Sequence, residues 1–209
     1  MIAWVGDVIR DVPEIDRAVV STDHAGIADA AQKAGIAVPF YRPAEISGDQ
    51  IGDFEVLIHA LEATEAADRR RYDIVVMLQP TSVLRTPHEV SAAIRMLVDG
   101  RWDSVWTVSP TDSKAHPLKQ LTISDGVLDY YDPAGARIVA RQQLQPVYHR
   151  NGVAYVMTRA CLVEQRTIKG ARAGALVLDA THISIDTEWD IALVELLSST
   201  RRLPELRQD

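Results

Sequence analysis

The chain has 209 residues, of which 47% are hydrophobic and 24% charged, as is typical of one globular domain with a sizeable core. Its 29 acidic and 22 basic residues give a formal net charge of −7. We therefore expect no nucleic-acid partner, since such proteins usually carry a basic face. No signal peptide or apolar run of membrane-spanning length is visible, and the only cysteine, Cys161, suits a reducing compartment. We therefore expect a cytoplasmic protein without a membrane partner. We expect Cys161 to be a small buried thiol rather than a nucleophile.

The first half of the sequence alternates between short apolar strands and amphipathic helices. Strands are predicted over residues 17–22, 36–40, 72–78 and 103–109. Helices are predicted over residues 23–35, from residue 53 towards 71, and over 86–100. The last helix has a strong start, because Thr86 can cap it, Pro87 fits its first turn and Glu89 can complete a capping box. This alternation predicts an α/β fold, with a mostly parallel sheet covered by helices on both faces.

The second half departs from this alternation. Residues 118–132 are predicted to form a β-hairpin that turns at Ser124-Asp125-Gly126. Strands over 152–158 and 174–179 and a helix over 186–199 complete the pattern. We expect residues 1–209 to form a single domain, from which residues 111–150 project as a β-rich insertion.

Polar side chains follow the predicted strand over 72–78, at the end where open α/β sheets bind their ligands. They belong to Gln79, Thr81, Ser82 and Arg85. A loop that merely caps the next helix is the alternative interpretation. Asp23 poses the same choice after the strand over 17–22, between a ligand contact and a helix N-cap.

Two single residues and one basic cluster are further candidates. Arg42 precedes a proline in an extended, exposed position, where arginines are usually only solvated. Asp186 lies at a strand-to-helix junction, where it either caps the helix or binds a divalent ion. The predicted insertion is locally basic, which suits a carboxylate or phosphate ligand, although a solvated loop explains it equally well. Its basic residues are His116, Lys119, Arg137, Arg141, His149 and Arg150.

Six segments of the sequence carry a resemblance to a known family. They are "VVSTDHAGIA", "VPFYRPAEIS", "VMLQPTSVLR", "HPLKQL", "RQQLQPVYHRNGVAY" and "SIDTEWD". In this order and at this spacing, from Ile2 to about Leu197, they resemble the N-acylneuraminate cytidylyltransferases, also called CMP-sialic acid synthetases. The resemblance implies a Rossmann-like, GT-A-like nucleotidyltransferase fold. It also implies that CTP and a nine-carbon 2-keto sugar acid, of the sialic or legionaminic type, give a CMP-sugar and pyrophosphate with Mg²⁺ as cofactor.

The resemblance assigns roles to four residues of the α/β body. Arg42 would contact the cytosine end of the nucleotide, and Gln79 would face the sugar and the reacting centre. Asp186 would hold Mg²⁺, although Ser184 stands where the family commonly has a second acidic residue. Asp53 would lie near the base, where its carboxylate either accepts from the cytosine amino group or caps a helix.

Four further residues are assigned to the sugar acid by the same resemblance. Asn151 and Tyr155 would line the sugar pocket. Lys119 and Arg141 would reach the sugar-acid site of a neighbouring subunit, because the insertion of this family is a dimerisation arm. A homodimer or homotetramer is therefore expected.

The sequence departs from the family pattern at its start. The family opens with a strand and a phosphate-cradling loop resembling "IPARGGSKGIPRKN", whereas this sequence begins at "MIAWVGDVIR", which corresponds to the helix after that loop. We expect the chain as given to have little or no CTP-dependent activity. Either the natural protein is longer, or the chain is a non-catalytic homologue or partner subunit that binds a nucleotide or a sugar acid. A nucleotidyltransferase for 3-deoxy-manno-octulosonate is a third interpretation.

Overall fold

A computed structural model describes residues 1–201 of the chain, and its side chains as far as Ser199. Its helices are α1 (Ile2–Arg10), α2 (Ala25–Lys33), α3 (Asp53–Asp68), α4 (Pro87–Gly100), α5 (Arg159–Val163) and α6 (Glu188–Arg201). Its strands are β1 (Ile74–Met77), β2 (Ser104–Pro110), β3 (Leu121–Ser124), β4 (Val127–Tyr130), β5 (Tyr148–Thr158) and β6 (Ala173–Val177). None of the helices over these residues is both long and apolar enough to cross a membrane.

The four-stranded sheet has the strand order β1-β5-β2-β6. Strand β5 runs antiparallel to β1, with Ile74 opposite Thr158 and Met77 opposite Tyr155. Strand β6 runs parallel to β2, since Asp103 N–H donates to Arg172 O (2.9 Å) and Leu178 N–H donates to Val108 O (2.9 Å). The sheet is therefore mixed, and the predicted α/β class is confirmed. Strands β3 and β4 form a separate hairpin, in which Asp125 and Gly126 have φ values of 50° and 81°. Two successive positive φ angles are typical of a type I′ turn, so the predicted turn is confirmed.

The predicted strands over 17–22 and 36–40 are reduced to a single parallel bridge between Val19 and Ala37. Two backbone hydrogen bonds form it, from Val20 N–H to Ala37 O (2.9 Å) and from Ala37 N–H to Ala18 O (3.2 Å). A segment that pairs with one neighbour at a single position is too short to be a β-strand. The two predicted segments therefore pair in parallel at one position, but neither forms a strand of the predicted length.

Two predicted helix starts can be compared with the structure. Thr86 forms the capping box, since its N–H donates to Glu89 Oε2 (2.8 Å) and its hydroxyl accepts from Glu89 N–H (3.3 Å). Helix α2, however, begins at Ala25, and His24 Nδ1 caps it by accepting from Gly26 N–H (3.1 Å). Asp23 is therefore not the N-cap of α2.

Strand β1 is covered by helices on both of its faces. The side chains of Ile74 and Val76 pack against the apolar cluster built on α4. Those of Val75 and Met77 pack against a second cluster, built on α3 and α5, which contains the fully buried Cys161. Cys161 is 0% exposed, so the prediction of a small buried thiol is confirmed, and burial raises the pKa of this thiol to about 11.

The described chain divides into two compact units. The first comprises residues 1–107, 151–176 and those from 182 onwards, and the second comprises residues 108–150 and 177–181. The insertion predicted over 111–150 falls within the second unit, and its role as a dimerisation arm stays a prediction. Lys119 and Arg141 belong to this unit, where each lies in a short 3₁₀ turn and is exposed.

Candidate active site at the end of strand β1

The loop after β1 is tied to β5 by backbone carbonyl groups and one buried guanidinium. Gln79 N–H donates to Gly152 O (3.3 Å), and Arg85 Nη2 donates to Gly152 O (3.0 Å) and to Gln79 O. The hydroxyl of Ser82 donates to Asn151 O (2.7 Å). Ser82 and Arg85 are only 2% and 5% exposed, so both hold the loop in place rather than face a ligand. Burial lowers the pKa of Arg85 to about 10, which leaves the guanidinium charged at neutral pH.

The side chain of Gln79 lies against the backbone of Gly152. A Cβ added at residue 152 would come within 2.5 Å of Gln79 Oε1 and closer still to Ser82 Oγ. Gly152 also has a φ of +71°, which side chains other than glycine rarely adopt. Only glycine at this position leaves room for the Gln79 amide at the end of β1. Gly152 lies in one of the six segments that carry the resemblance, but no role was predicted for it.

Asn151 and Tyr155, both predicted to line a sugar pocket, are buried beside this glycine. Asn151 Oδ1 accepts from the Thr107 hydroxyl (2.7 Å) and from Val153 N–H (3.2 Å). The Tyr155 hydroxyl accepts from Gly152 N–H (3.0 Å). The structure thus gives both side chains a bracing role around Gly152. Their contact with a sugar stays a prediction.

The segment before α6 brings Asp186 next to the same loop. Ile185 N–H donates to Thr81 O (3.1 Å). Thr187 and Asp190 cap α6. Asp190 Oδ2 accepts from Thr187 N–H (2.7 Å) and from the Thr187 hydroxyl (2.8 Å). Within residues 1–201, the exposed Asp186 carboxylate accepts no hydrogen bond and forms no ion pair. Of its two predicted roles, capping is excluded by this arrangement.

The pair formed by Glu89 and His182 also fixes this segment. His182 Nε2 lies 2.9 Å from Glu89 Oε1, and the His182 side chain is 1% exposed. Burial opposes ionisation of Glu89, but the hydrogen bonds from His182 and from Thr86 N–H hold the pKa of this carboxyl below its ordinary value. The sequence predicted only the capping role of Glu89. No local pattern could predict a partner 93 residues away.

Arg42 and Asp53 lie near the end of β1 as well. Arg42 is 23% exposed, donates from Nε to Ser47 Oγ (3.1 Å) and places Nη2 3.6 Å from Asp23 Oδ1. The prediction of a merely solvated, exposed arginine is therefore wrong, because neighbouring side chains hold it. Asp53 is the first residue of α3, and Gly52 occupies the N-cap position. The Asp53 carboxylate therefore does not cap the helix.

A cavity of about 630 Å³ brings three of the predicted site residues together. Arg42, Asp53 and Gln79 all line it, and Asp186 follows the segment bonded to the loop after Gln79. Over residues 1–201 there is no cluster of three His, Cys, Asp or Glu side chains that could hold a metal ion. A free carboxylate at Asp186 does fit Mg²⁺, which often takes one or two protein carboxylates and completes its shell with substrate phosphates and water.

The profile of the cytidylyltransferase family matches residues 1–207, almost the whole chain. The chain belongs to the cytidylyltransferase family. Two curated relatives agree with the predicted branch of it. The CMP-N,N'-diacetyllegionaminic acid synthase of Legionella pneumophila is 29% identical over 194 residues, which are 91% of this chain and 79% of that protein. The N-acylneuraminate cytidylyltransferase of Streptococcus agalactiae is 29% identical over 170 residues, which are 81% of this chain and 39% of that protein.

The fold agrees with that of solved nucleotidyltransferases. The structure of a CMP:2-keto-3-deoxy-manno-octonic acid synthetase complexed with CTP aligns over 95% of this chain and 88% of its own, with a TM-score of 0.65 and 15% sequence identity. The predicted Rossmann-like nucleotidyltransferase fold of this cytidylyltransferase is therefore confirmed. So is the resemblance to the N-acylneuraminate cytidylyltransferases.

Proposed function

We propose that this protein transfers CMP from CTP to a nine-carbon 2-keto sugar acid of the sialic or legionaminic type, with release of pyrophosphate. The observation that supports this most is the shared position of Arg42, Asp53 and Gln79 on one cavity, in a chain of this family. Two relatives named for legionaminic and N-acylneuraminic acids favour this substrate class.

The nucleotide would be held through its base. The Arg42 guanidinium, oriented by Ser47 and Asp23, can donate to the cytosine carbonyl. The Asp53 carboxylate can accept from the cytosine amino group, since it caps no helix. Together they would distinguish cytosine from uracil, because uracil has no amino group to donate.

The reaction would depend on positioning and on neutralisation of phosphate charge. The anomeric hydroxyl of the sugar acid attacks the α-phosphorus of CTP and loses its proton to solvent water, while pyrophosphate leaves with the electrons of the broken P–O bond. Gln79, held against Gly152, would orient the sugar through its amide. Asp186 would hold Mg²⁺, which, when bound, neutralises the phosphate oxygens.

The second unit would complete the site in a homodimer, or in a homotetramer built from such dimers. One face of the β3–β4 hairpin is apolar and exposed, with exposed fractions from 42% to 74%, and consists of Leu121, Ile123, Leu128 and Tyr130. An apolar hairpin face suits a partner subunit, since isolated hairpins are marginally stable in water. Lys119 and Arg141, exposed on the same unit, would supply cations to the carboxylate of the sugar acid bound by the neighbouring subunit.

Binding without turnover is the second candidate function. Among the residues described, Arg42 is the one cation that lines the cavity near the end of β1, and it already faces Asp23. A triphosphate usually calls for several cations or N–H donors. On this second proposal, CTP would bind through its base, and pyrophosphate release would be slow or absent.

Two measurements test these proposals. Calorimetry measures CTP binding, and an assay of pyrophosphate release uses CTP and Mg²⁺ with a sialic acid, a legionaminic acid or 3-deoxy-manno-octulosonate in turn. Arg42→Ala should weaken CTP binding about tenfold or more, as loss of a hydrogen-bonded charge does. Arg95→Ala, which removes an exposed arginine from α4, is the matched control and should bind like the parent.

Turnover that prefers 3-deoxy-manno-octulosonate would reject the proposed substrate class. CTP binding without pyrophosphate would support the second candidate, and no CTP binding would contradict both.

A further inference from the structure

A groove of about 340 Å³ lies along α3 in the first unit and shares no lining residue with the nucleotide cavity. Its floor is apolar and includes Ile46, Phe54 and Ile58. Glu55 and Glu62 line it as well, and both side chains are exposed. Seven residues separate them, which is about 10 Å along a helix. We call this surface the α3 groove.

The carboxylates of the α3 groove have no cationic partner. Within residues 1–201, neither Glu55 nor Glu62 forms an ion pair. Arg166 also lines the groove, but its guanidinium lies over the Phe54 ring, 5.5 Å from the ring centroid. The groove therefore presents an apolar surface between two negative charges. Such a surface is complementary to an apolar residue that has a cation on either side.

A turn in the second unit has these properties. Val139 is 87% exposed, more than any other large apolar residue of the described chain. Gln143 Oε1 accepts from Val139 N–H (2.9 Å) and from Ala140 N–H (3.0 Å), which fixes the turn. Arg137 and Arg141 flank it, and both are exposed and form no ion pair among the described residues. We call residues 137–141 the Val139 turn. Because the turn is already formed, docking it costs little conformational entropy.

We propose that the Val139 turn of one copy of this chain docks in the α3 groove of a second copy. Val139 would lie on the apolar floor, and Arg137 would pair with Glu62. Residues 137–141 span at most about 14 Å, so the turn fits between carboxylates that are about 10 Å apart. This docking rests on the homodimer of the proposed function, to which it adds the surface that receives the second unit.

The nucleotide cavity sets the orientation of the turn. Asp53 lines that cavity, and Glu55 lies two residues further along α3, so this end of the groove adjoins the proposed active site. With Arg137 at Glu62, Arg141 lies at the end next to the cavity. Arg141 is the residue proposed to reach the sugar acid of the neighbouring subunit. The docking therefore explains how an exposed arginine of one copy comes to the site of the other.

A second copy is the occupant because the Val139 turn adjoins the hairpin face proposed as the interface. The 3₁₀ turn over Pro133–Arg137 packs against this face, since a Cβ added at Gly135 would come within 2.8 Å of the Tyr130 ring. A subunit that covers the hairpin face therefore reaches the Val139 turn as well. In a dimer with two-fold symmetry the contact forms twice, because each copy carries one turn and one groove.

Charge exchange across the contact tests this docking. Sedimentation equilibrium without nucleotide measures the dissociation constant of the dimer. Glu62→Arg and Arg137→Glu should each raise this constant about tenfold or more, because each variant brings like charges together. The double variant Glu62→Arg/Arg137→Glu restores opposite charges and should dissociate like the parent. Glu188→Arg changes an exposed carboxylate outside the groove, so it is the matched control and should leave the constant unchanged.

A double variant that dissociates more readily than either single variant would overturn the docking, because the two charges would then act independently. So would single variants that dimerise like the parent. Calorimetry of CTP binding separates these results from the proposed function, because neither Glu62 nor Arg137 lines the nucleotide cavity. Unchanged CTP binding by a single variant with a weakened dimer would show a folded chain and support the docking. A monomeric parent that transfers CMP would overturn the docking and leave the proposed reaction standing.

Discussion

Gly152 combines a positive φ with a close approach to the Gln79 and Ser82 side chains. Replacement by Ala should displace the Gln79 side chain and strain a positive φ, at a cost of about 2–4 kcal/mol in unfolding free energy. Urea unfolding measures this cost. Gly126→Ala is the matched control, because its φ is also positive but nothing lies within 4 Å of its added Cβ. It should cost only about 1 kcal/mol, and equal losses in the two variants would contradict the packing argument.

At the residue scale, the resemblance predicted ligand contacts, and the structure adds the contacts that hold these side chains in place. Arg42, Asp53 and Gln79 do meet on one cavity. Asn151 and Tyr155 accept hydrogen bonds from Thr107 and from Gly152 N–H, and their contact with a sugar stays a prediction. Bracing contacts of this kind depend on residues that are distant in sequence, so no spacing rule predicts them.

At the scale of elements, the start of α4 is fastened to the segment before α6 by Glu89 and His182. The folded-state pKa of Glu89 lies below its ordinary value of 4.5, so its stabilising contribution is present above pH 4.5 and is lost as the pH falls through the lower, folded value. Between pH 7 and pH 3.5, the parent should therefore lose more unfolding free energy than Glu89→Gln does.

Urea unfolding of both proteins at several pH values gives this comparison. Glu188→Gln, an exposed carboxylate in the first turn of α6, is the control and should follow the parent. If the unfolding free energy of the parent and of Glu89→Gln had the same pH dependence, the Glu89 carboxylate would not be stabilised by His182 and Thr86.

Local signals predicted the elements well where the interacting residues are close in sequence. The capping box of Thr86 and Glu89 and the turn at Asp125-Gly126 are of this kind. The strands over 17–22 and 36–40 were predicted from apolar runs alone. Whether such a run becomes a strand depends on its neighbours in the sheet, and within residues 1–201 Val19 pairs only with Ala37.

At the scale of the whole molecule, the proposed dimer can be tested on the hairpin of the second unit. Ile123→Glu puts a charge on the exposed apolar face and should shift the mass measured by sedimentation from dimer to monomer. Thr122→Glu places the same charge on the opposite face of β3 and should leave the mass unchanged. A dimer that survives Ile123→Glu would exclude the apolar face as the interface.

The buried thiol of Cys161 gives this protein an internal reporter of its own opening. A colourless disulfide reagent such as Ellman's can react only with molecules whose α3–α5 cluster has come apart, because the sulfur is inaccessible and its thiolate scarce in the closed form. The yellow product should therefore accumulate slowly in buffer and within seconds in concentrated urea. The rate at which the colour appears therefore measures how often the cluster around Cys161 opens, without any change to the protein.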